Sequence, residues 1–391
     1  MNNKLWQSTK SSILTTAVLT AIWALYNLNQ ISTFNFLMAI PFFFLAYFTV
    51  LFIGREYVVT FFQDWIRESL YKVFVFPMVL LVLFVLFLVI NGYNPFIDNL
   101  YLVVYILFFP VIAFKLRNEA TQKIGWFDFT VFVFTLLPTA FYEVRQQGEL
   151  PVTGGGFDSL LHILIILTSV YAFGIVRGLK DVGFFPEWKW KSLFIAVFSW
   201  AAFYLFVVAI GFTVDFIRVI GYSEPFGILV KSIFFTMVGT FLHTALFEEL
   251  FFRGILQNML AKRIGQARSW KIFWVVGFVI LFGCAILVGY TLEGQMKWFP
   301  GLVTVFIFVA AWYIEQSGKF ELGVYTSLAL TGVTFGLVHY HAKSIVYIGL
   351  ACVAGWAYGY TYIKTKNVFY SALVHVLVNS GVLIFGLKMI R

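Results

Sequence analysis

The sequence predicts an all-α membrane protein, a bundle of transmembrane helices, and three observations support this fold class. Of its 391 residues, 61% are hydrophobic and only 12% are charged, whereas soluble domains carry about 25% charged residues. Too few polar side chains are therefore present to cover a water-soluble globule. Hydrophobic runs long enough to cross a bilayer recur along the chain. They lack an apolar–polar alternation, which favours helices over a membrane β-barrel.

About thirteen spans account for these runs. The first follows Lys4 and Lys10, and no small-x-small cleavage site comes after it, so we expect it to stay uncleaved. The two cysteines, Cys284 and Cys352, lie inside apolar runs, which excludes a disulfide framework or a paired-cysteine metal site. In chain order, the predicted spans are residues 11–28, 34–53, 73–90, 99–114, 124–142, 158–176, 192–212, 230–258, 271–290, 299–314, 321–340, 345–363 and 368–388.

The positive charges predict the orientation of these spans. With the N-terminus in the cytoplasm, nineteen of the 27 lysines and arginines fall on the cytoplasmic side and seven on the other. This bias is the one that cytoplasmic loops show. We therefore expect an integral multi-pass protein of a bacterial plasma membrane. The net charge is +9. The basic residues behind it lie between hydrophobic runs rather than along a basic stripe, so we expect no nucleic-acid partner.

A linker divides the chain into two predicted regions. Residues 181–191 mix Trp and Phe with Lys and a proline, as a segment at the level of lipid headgroups would. Residues 1–190 are predicted to form an accessory transmembrane region, for substrate gating or partner binding. Residues 191–391 would form a second helical core. The glycine-rich stretch 148–156 is predicted to be a flexible loop.

Three ionisable residues interrupt the predicted span 230–258. Glu248, Glu249 and Arg253 would each cost about 2.5–3.5 kcal/mol at the centre of a membrane helix. Glu249 and Arg253 are four residues apart in the order that favours a same-face ion pair. Glu248 is rotated by about 100° from its neighbour. One carboxylate is thus predicted to be neutralised locally, and the other to be available for chemistry.

Two further spans carry polar residues one helical turn apart. Phe335 precedes His339 by four residues, and His375 precedes Asn379 by four. Each residue taken alone has a structural alternative, because histidine and asparagine also serve as hydrogen-bonding groups between membrane helices. A carboxylate, two imidazoles and an amide on three helices favour a catalytic site over that alternative. The other histidines, interpreted as structural, are His162, His243 and His341.

The three motifs together resemble the CAAX protease and bacteriocin-processing family, also called the Abi family, of intramembrane glutamic endopeptidases. The resemblance covers residues 228–388 and rests on EExxxR at 248–253, FxxxH at 335–339 and HxxxN at 375–379. Within that family, the chain is similar to the type II CAAX prenyl endopeptidase branch. An additional helix pair, near 271–314, lies between the first two motifs, and residues 1–190 lie outside the resemblance.

The resemblance implies a role for each motif residue. Glu248 would be the general base and, with His339, would activate a water against the scissile carbonyl. His375 and Asn379 would stabilise the oxyanion, while Glu249 and Arg253 would orient the site. The substrate would be a membrane-associated peptide or protein, CAAX-type or lipidated, and no cofactor would be needed. Counted from the predicted span ends, the site would lie near mid-membrane, toward the cytoplasmic side.

Two alternatives remain at this point. A zinc-dependent variant would use Glu248 or Glu249 with His339 and His375 as a two-histidine, one-carboxylate set. The HExxH arrangement is absent, which favours the metal-free site. A non-catalytic scaffold or bacteriocin-immunity protein is the alternative from another class, and a transporter is disfavoured because Gly and Pro interruptions are not matched between the halves.

Overall fold

The computed structural model describes residues 2–27, 33–90, 100–117, 123–141, 156–222, 224–294 and 296–390. The fold is all-α, with fourteen helices over this part of the chain. The chain divides into two compact units, Met1–Pro186 and Glu187–Arg391. The predicted loop 148–156 falls, except for its last residue, outside the described residues.

The first unit contains seven helices among its described residues. They are α1 (Asn2–Asn27), α2 (Thr33–Ile53), α3 (Glu56–Arg67), α4 (Lys72–Ile90), α5 (Leu100–Leu116), α6 (Trp126–Phe141) and α7 (Gly156–Ser169), which continues as the π-helical segment Val170–Val176. Helix α3 is bent by 89° from α2. It is amphipathic: Val58 and Ile66 are buried, whereas Asp64 and Arg67 are exposed. Such a helix suits the membrane interface rather than a span.

A buried carboxylate ties the helices of this unit together. Asp128, in the first turn of α6, is fully buried. It accepts hydrogen bonds from Arg117 Nη1 at 2.7 Å, from Arg177 Nε at 2.5 Å and from the Gly125 N–H at 2.8 Å. Because its charge is paired and hydrogen-bonded on three sides, it stabilises the junction of α5, α6 and α7 as a structural group.

The second unit contains seven helices and a two-stranded sheet. They are α8 (Trp190–Thr213), β1 (Ile217–Val219), α9 (Phe226–Gly265), α10 (Trp270–Thr291), α11 (Phe299–Gln316), α12 (Val324–Val338), α13 (Ile345–Thr365), α14 (Val368–Ile384) and β2 (Leu387–Met389). Helix α9 is continuous but includes two π-helical segments, Phe241–Ala245 and Leu250–Gln257. A 3₁₀ turn, His339–Ala342, follows α12.

Connections between these helices gather at two opposite ends of the unit, because each helix carries the chain from one end to the other. At the first, Lys189 N–H donates to Tyr370 Oη at 2.7 Å, and Lys364 Nζ lies 4.7 Å from the Phe320 ring. We call it the basic end; it comprises residues 187–191, 262–271, 317–323 and 364–367. At the other, β1 and β2 pair in antiparallel register. We call it the strand end; it comprises the described residues of 214–225, 292–298, 339–344 and 385–390.

Within the described ranges, five helices are long and apolar enough to cross a membrane, namely α4 and α8 to α11, and α2 with α3 adds a sixth if the bent pair counts as one span. Five shorter apolar helices accompany them in the same ranges. The count of about thirteen spans stays a prediction. Helices Trp270–Thr291 and Phe299–Gln316 occupy the position of the predicted helix pair.

Glycines bring α12 and α13 into backbone contact. A Cβ on Gly355 would lie 2.6 Å from the Gly332 carbonyl oxygen, and one on Gly336 would lie 2.5 Å from the Cys352 backbone nitrogen. Gly332 and Gly336 form a GxxxG pattern, which allows close approach of membrane helices. This contact fixes the helix that ends at His339.

Candidate active site

The three sequence motifs meet at one cavity of the second unit. Its volume is about 340 Å³. Glu248 reaches it from α9, His339 from the end of α12, and His375 and Asn379 from α14. The four residues to which the family resemblance assigns chemistry thus share one space. Their catalytic roles stay a proposal.

Glu249 lies behind the cavity and joins two motifs. One carboxylate oxygen, Oε2, accepts from Arg253 Nε at 3.0 Å, and both side chains are fully buried. The other, Oε1, lies 3.0 Å from His375 Nδ1. A carboxylate is an acceptor only, so Nδ1 must carry the proton. The contact fixes the His375 ring and directs its other nitrogen, Nε2, toward Glu248.

Glu248 has a different environment from its neighbour. Its side chain is 26% exposed and borders the cavity, and its Oε2 lies 3.9 Å from His375 Nε2. That oxygen makes no hydrogen bond to any described residue. The chain therefore presents one carboxylate that is committed to an ion pair and, one residue earlier, one that is available to a water or a substrate.

His339 sits where α12 ends and the 3₁₀ turn begins. Its Nδ1 lies 2.7 Å from the Phe335 carbonyl oxygen, one turn earlier. A carbonyl accepts, so Nδ1 is the protonated nitrogen and Nε2 carries the free lone pair. The Phe335 ring packs against His339 and against His375, with centroid distances of 4.8 and 5.8 Å. Phe335 thus spaces the two imidazoles.

Asn379 lies one turn after His375 on α14. Its side chain is exposed and borders the cavity beside Val378 and Val382. The amide can donate from its nitrogen to an oxygen bound in this space.

A second layer of residues supports the ion pair, and the sequence analysis missed it. Arg253 Nη1 lies 3.3 Å from Thr331 Oγ1 and 3.4 Å from Gln257 Oε1. Gln257 Nε2 donates in turn to the Gly359 carbonyl at 3.2 Å. The four-residue spacing along the sequence could have indicated these residues. Gln257 follows Arg253 by four residues, and Thr331 precedes Phe335 by four, as Phe335 precedes His339.

Tyr358 is another site residue without a sequence signal. Its ring stacks on His375, with centroids 4.7 Å apart and planes 10° from parallel. It is buried and borders the cavity. Together with Phe335, whose ring meets His375 edge-on, Tyr358 confines the imidazole on its faces and edges.

A buried carboxylate on α11 anchors the start of α12. Glu315 is 4% exposed. Its oxygens accept from the backbone N–H groups of Gly323 at 2.5 Å, Tyr325 at 2.9 Å and Thr326 at 2.8 Å. These are free donors of the first helical turn, which also favours a negative charge. Glu315 therefore fixes the axial position of the helix that carries Phe335 and His339.

The remaining histidines occupy different positions. His341, interpreted from the sequence as structural, borders the cavity, with its ring centroid 5.6 Å from that of His339. His243 lies in the first π-helical segment of α9 and His162 in α7. Among the described residues, no group of three His, Cys, Asp or Glu side chains is arranged to hold a metal ion. The metal-free site and the zinc alternative both stay predictions.

The structure extends the helix from which the depth of Glu248 was counted. The cavity reaches the strand end, where Ile217, Leu387 and Met389 border it, and the depth of the site within a membrane stays a prediction. The predicted span ended at residue 258, whereas α9 continues to Gly265. Its last two turns, with Lys262 and Arg263, are too polar to be counted in a hydrophobic run, so Glu248 lies farther from that end than expected.

Comparison with known protein families gives a match within the second unit. The family described as "Type II CAAX prenyl endopeptidase Rce1-like" matches residues 230–326 and 317–381. The two matched segments include all three motifs. Comparisons with curated proteins and with solved structures gave no match. The resemblance that the motifs predict is confirmed: residues 230–381 of the chain are similar to the type II CAAX prenyl endopeptidase Rce1-like family.

Proposed function

We propose that this integral membrane protein is a glutamic endopeptidase that hydrolyses a peptide bond of a membrane-associated substrate. The single observation that supports this most is that two adjacent carboxylates have different environments. Glu249 is paired with Arg253 and His375, while Glu248 faces the cavity with one oxygen free of any described partner. A buried carboxylate oxygen without a hydrogen bond is costly, so its presence beside the cavity favours chemistry over a structural ion pair.

The reaction begins with a water between Glu248 and His339. Glu248 removes a proton from the water, and the His339 Nε2 lone pair accepts the second O–H and orients the oxygen. The oxygen attacks the scissile carbonyl carbon, and the C=O electron pair moves onto the carbonyl oxygen. Because Nδ1 of each imidazole is engaged by an acceptor, only the two Nε2 atoms face the reacting groups.

The oxyanion is stabilised from α14. With a proton on each ring nitrogen, His375 donates from Nδ1 to Glu249 and from Nε2 to the oxyanion. The Asn379 amide donates from one turn away. The tetrahedral intermediate collapses as the C–N bond breaks, and the proton held by Glu248 passes to the departing amine. The products are a carboxylic acid and an amine; the acid then passes its proton to the amine, so that they leave as a carboxylate and an ammonium group, and no cofactor takes part.

The rest of the chain supplies the setting. The cavity wall combines these polar groups with apolar side chains such as Phe203, Val207 and Leu350, so an apolar peptide segment or a lipidated one fits the same space. We assign residues 1–190 an accessory role, and residues 191–391 the protease core. The bilayer and a membrane-tethered peptide or protein are the partners.

The test compares two glutamate variants of the purified full-length protein in lipid vesicles. Glu248→Gln is assayed against a panel of membrane-tethered peptides beside Glu293→Gln, an exposed glutamate outside the cavity. We expect Glu248→Gln to lose cleavage and Glu293→Gln to keep it. Cleavage by Glu248→Gln would show that the base is another residue. A wild-type protein that binds a partner but cleaves no peptide would favour the scaffold alternative.

A further inference from the structure

The active-site cavity is asymmetric along the helix bundle. Its borders include β1 and β2 residues Ile217, Leu387 and Met389 and the 3₁₀-turn residue His341, all at the strand end. None of its lining residues comes from the basic end, every residue of which the structure describes. A substrate that enters along the bundle axis must therefore arrive from the strand end.

The helix that carries His339 explains this asymmetry. Glu315 holds the first turn of α12 at the basic end, and His339 follows its last residue, Val338. A helix of fifteen residues is about 22 Å long. His339 is thus most of a membrane thickness away from the basic end and close to the strand end.

Charge then assigns the two ends to the two sides of the membrane. The basic end carries nine lysines and arginines, and the described part of the strand end, with the first turns of α9, carries five. Short cytoplasmic connections are enriched in these residues. The five are Arg218, Lys231, Lys297, Lys343 and Lys388; the nine are Lys189, Lys191, Lys262, Arg263, Arg268, Lys271, Lys319, Lys364 and Lys366.

We infer that the cavity opens on the side of the membrane away from the cytoplasm. The substrate class is accordingly a membrane-anchored peptide whose scissile bond lies at or just outside that face of the bilayer. Its residues beside the bond are apolar, matching the cavity wall of Phe216, Ile217 and Val382. The identification of a substrate rests on the proposed function. The direction in which the cavity opens does not depend on whether the protein is catalytic.

Cysteine labelling tests the direction. In full-length protein with the exposed Cys284 replaced by Ala and the buried Cys352 kept, we compare Val219→Cys at the strand end with Gln266→Cys at the basic end. Val219 is 67% exposed and Gln266 is also exposed, and neither substitution changes a charge. A membrane-impermeant maleimide is added to right-side-out and to inside-out vesicles from a bacterial host.

We expect Val219→Cys to be labelled in right-side-out vesicles and to lose labelling in inside-out ones, with the reverse for Gln266→Cys. Detergent should make both fully reactive. The opposite pattern, or labelling of each site in both preparations, would overturn the inference. A protein that cleaves no peptide but gives the expected labelling would refute the proposed function alone.

A second variant connects the opening with the site. Met389 borders the cavity and is 36% exposed. In the same background, a bulky impermeant maleimide on Met389→Cys should abolish cleavage of a tethered peptide when it is added to right-side-out vesicles. Full activity after complete labelling from that side would contradict entry from the strand end, as would inhibition only from the cytoplasmic side.

Discussion

Glu249 Oε1 and His375 Nδ1 lie 3.0 Å apart, across 126 residues of sequence, and both residues are buried. This contact joins α9 to α14 and determines which nitrogen of His375 faces the cavity. It also makes Glu249 the shared partner of an arginine and a histidine. The adjacent Glu248 is left to the cavity, so two neighbouring carboxylates of the same type are expected to respond differently to the same substitution.

Glu249→Gln is expected to destabilise the protein. It removes the negative charge that compensates the fully buried Arg253, and breaking a buried ion pair by removing one partner costs about 3–5 kcal/mol. The measurement is the thermal unfolding midpoint in detergent, with Glu321→Gln, an exposed glutamate, as the control. An unchanged midpoint would show that Arg253 finds another compensating group.

Asn379→Ala is expected to reduce turnover without unfolding the protein. The side chain is exposed to the cavity, so its loss leaves no cavity in the packed core. Loss of one oxyanion donor typically lowers kcat by about 10²–10³-fold. The assay is steady-state cleavage of a tethered peptide, with Gln316→Ala, an exposed amide at the end of α11, as the control. A change in KM alone would assign Asn379 to substrate binding.

Gly355→Ala is expected to separate α12 from α13. Its new Cβ would meet the Gly332 carbonyl oxygen at 2.6 Å, and a backbone atom cannot move aside cheaply. We expect a cost of about 1–3 kcal/mol and reduced activity through displacement of His339. Gly283→Ala is the matched control, because nothing lies within 4 Å of its Cβ position. Helix propensity should make that control up to about 1 kcal/mol more stable.

Glu315→Gln tests the anchor of α12. The amide offers one acceptor oxygen in place of the two that now receive backbone N–H groups of Gly323, Tyr325 and Thr326. Leaving a buried donor unsatisfied costs about 1–3 kcal/mol. We expect a lower unfolding midpoint and, because α12 loses its axial anchor, a lower kcat. Retention of both would mean that helix packing alone positions His339.

The sequence was sufficient for the fold class and for the three motifs that border the cavity. Hydrophobic runs identified the helices because lipid forces every backbone group to be satisfied within its own segment, and the four-residue spacing of Glu249 and Arg253 predicted an ion pair that the structure contains. The contact between Glu249 and His375 could not be predicted, because no local pattern encodes the packing of α9 on α14. The same holds for Tyr358, whose stacking depends on how α13 meets α14.

The distance of Glu248 from the end of its helix was underestimated for a different reason. Hydropathy locates only the apolar part of a helix. Polar turns at its end also belong to the helix, but hydropathy does not detect them. Residues Asn258–Gly265 are helical, although Lys262 and Arg263 remove them from the hydrophobic run. Counting from the end of the run, at residue 258, therefore placed Glu248 seven residues too close to the end of its helix at Gly265.

Glu248 is the general base in the proposed mechanism, and the cleavage rate of a single variant tests this role. The measurement is peptide cleavage by Glu248→Gln protein whose unfolding midpoint matches that of the wild type, a match expected because the side chain borders the cavity and makes no buried ion pair with Arg253. We expect a cleavage rate lowered by at least about 10²-fold. A rate within about threefold of the wild type, in a protein of equal stability, would contradict it.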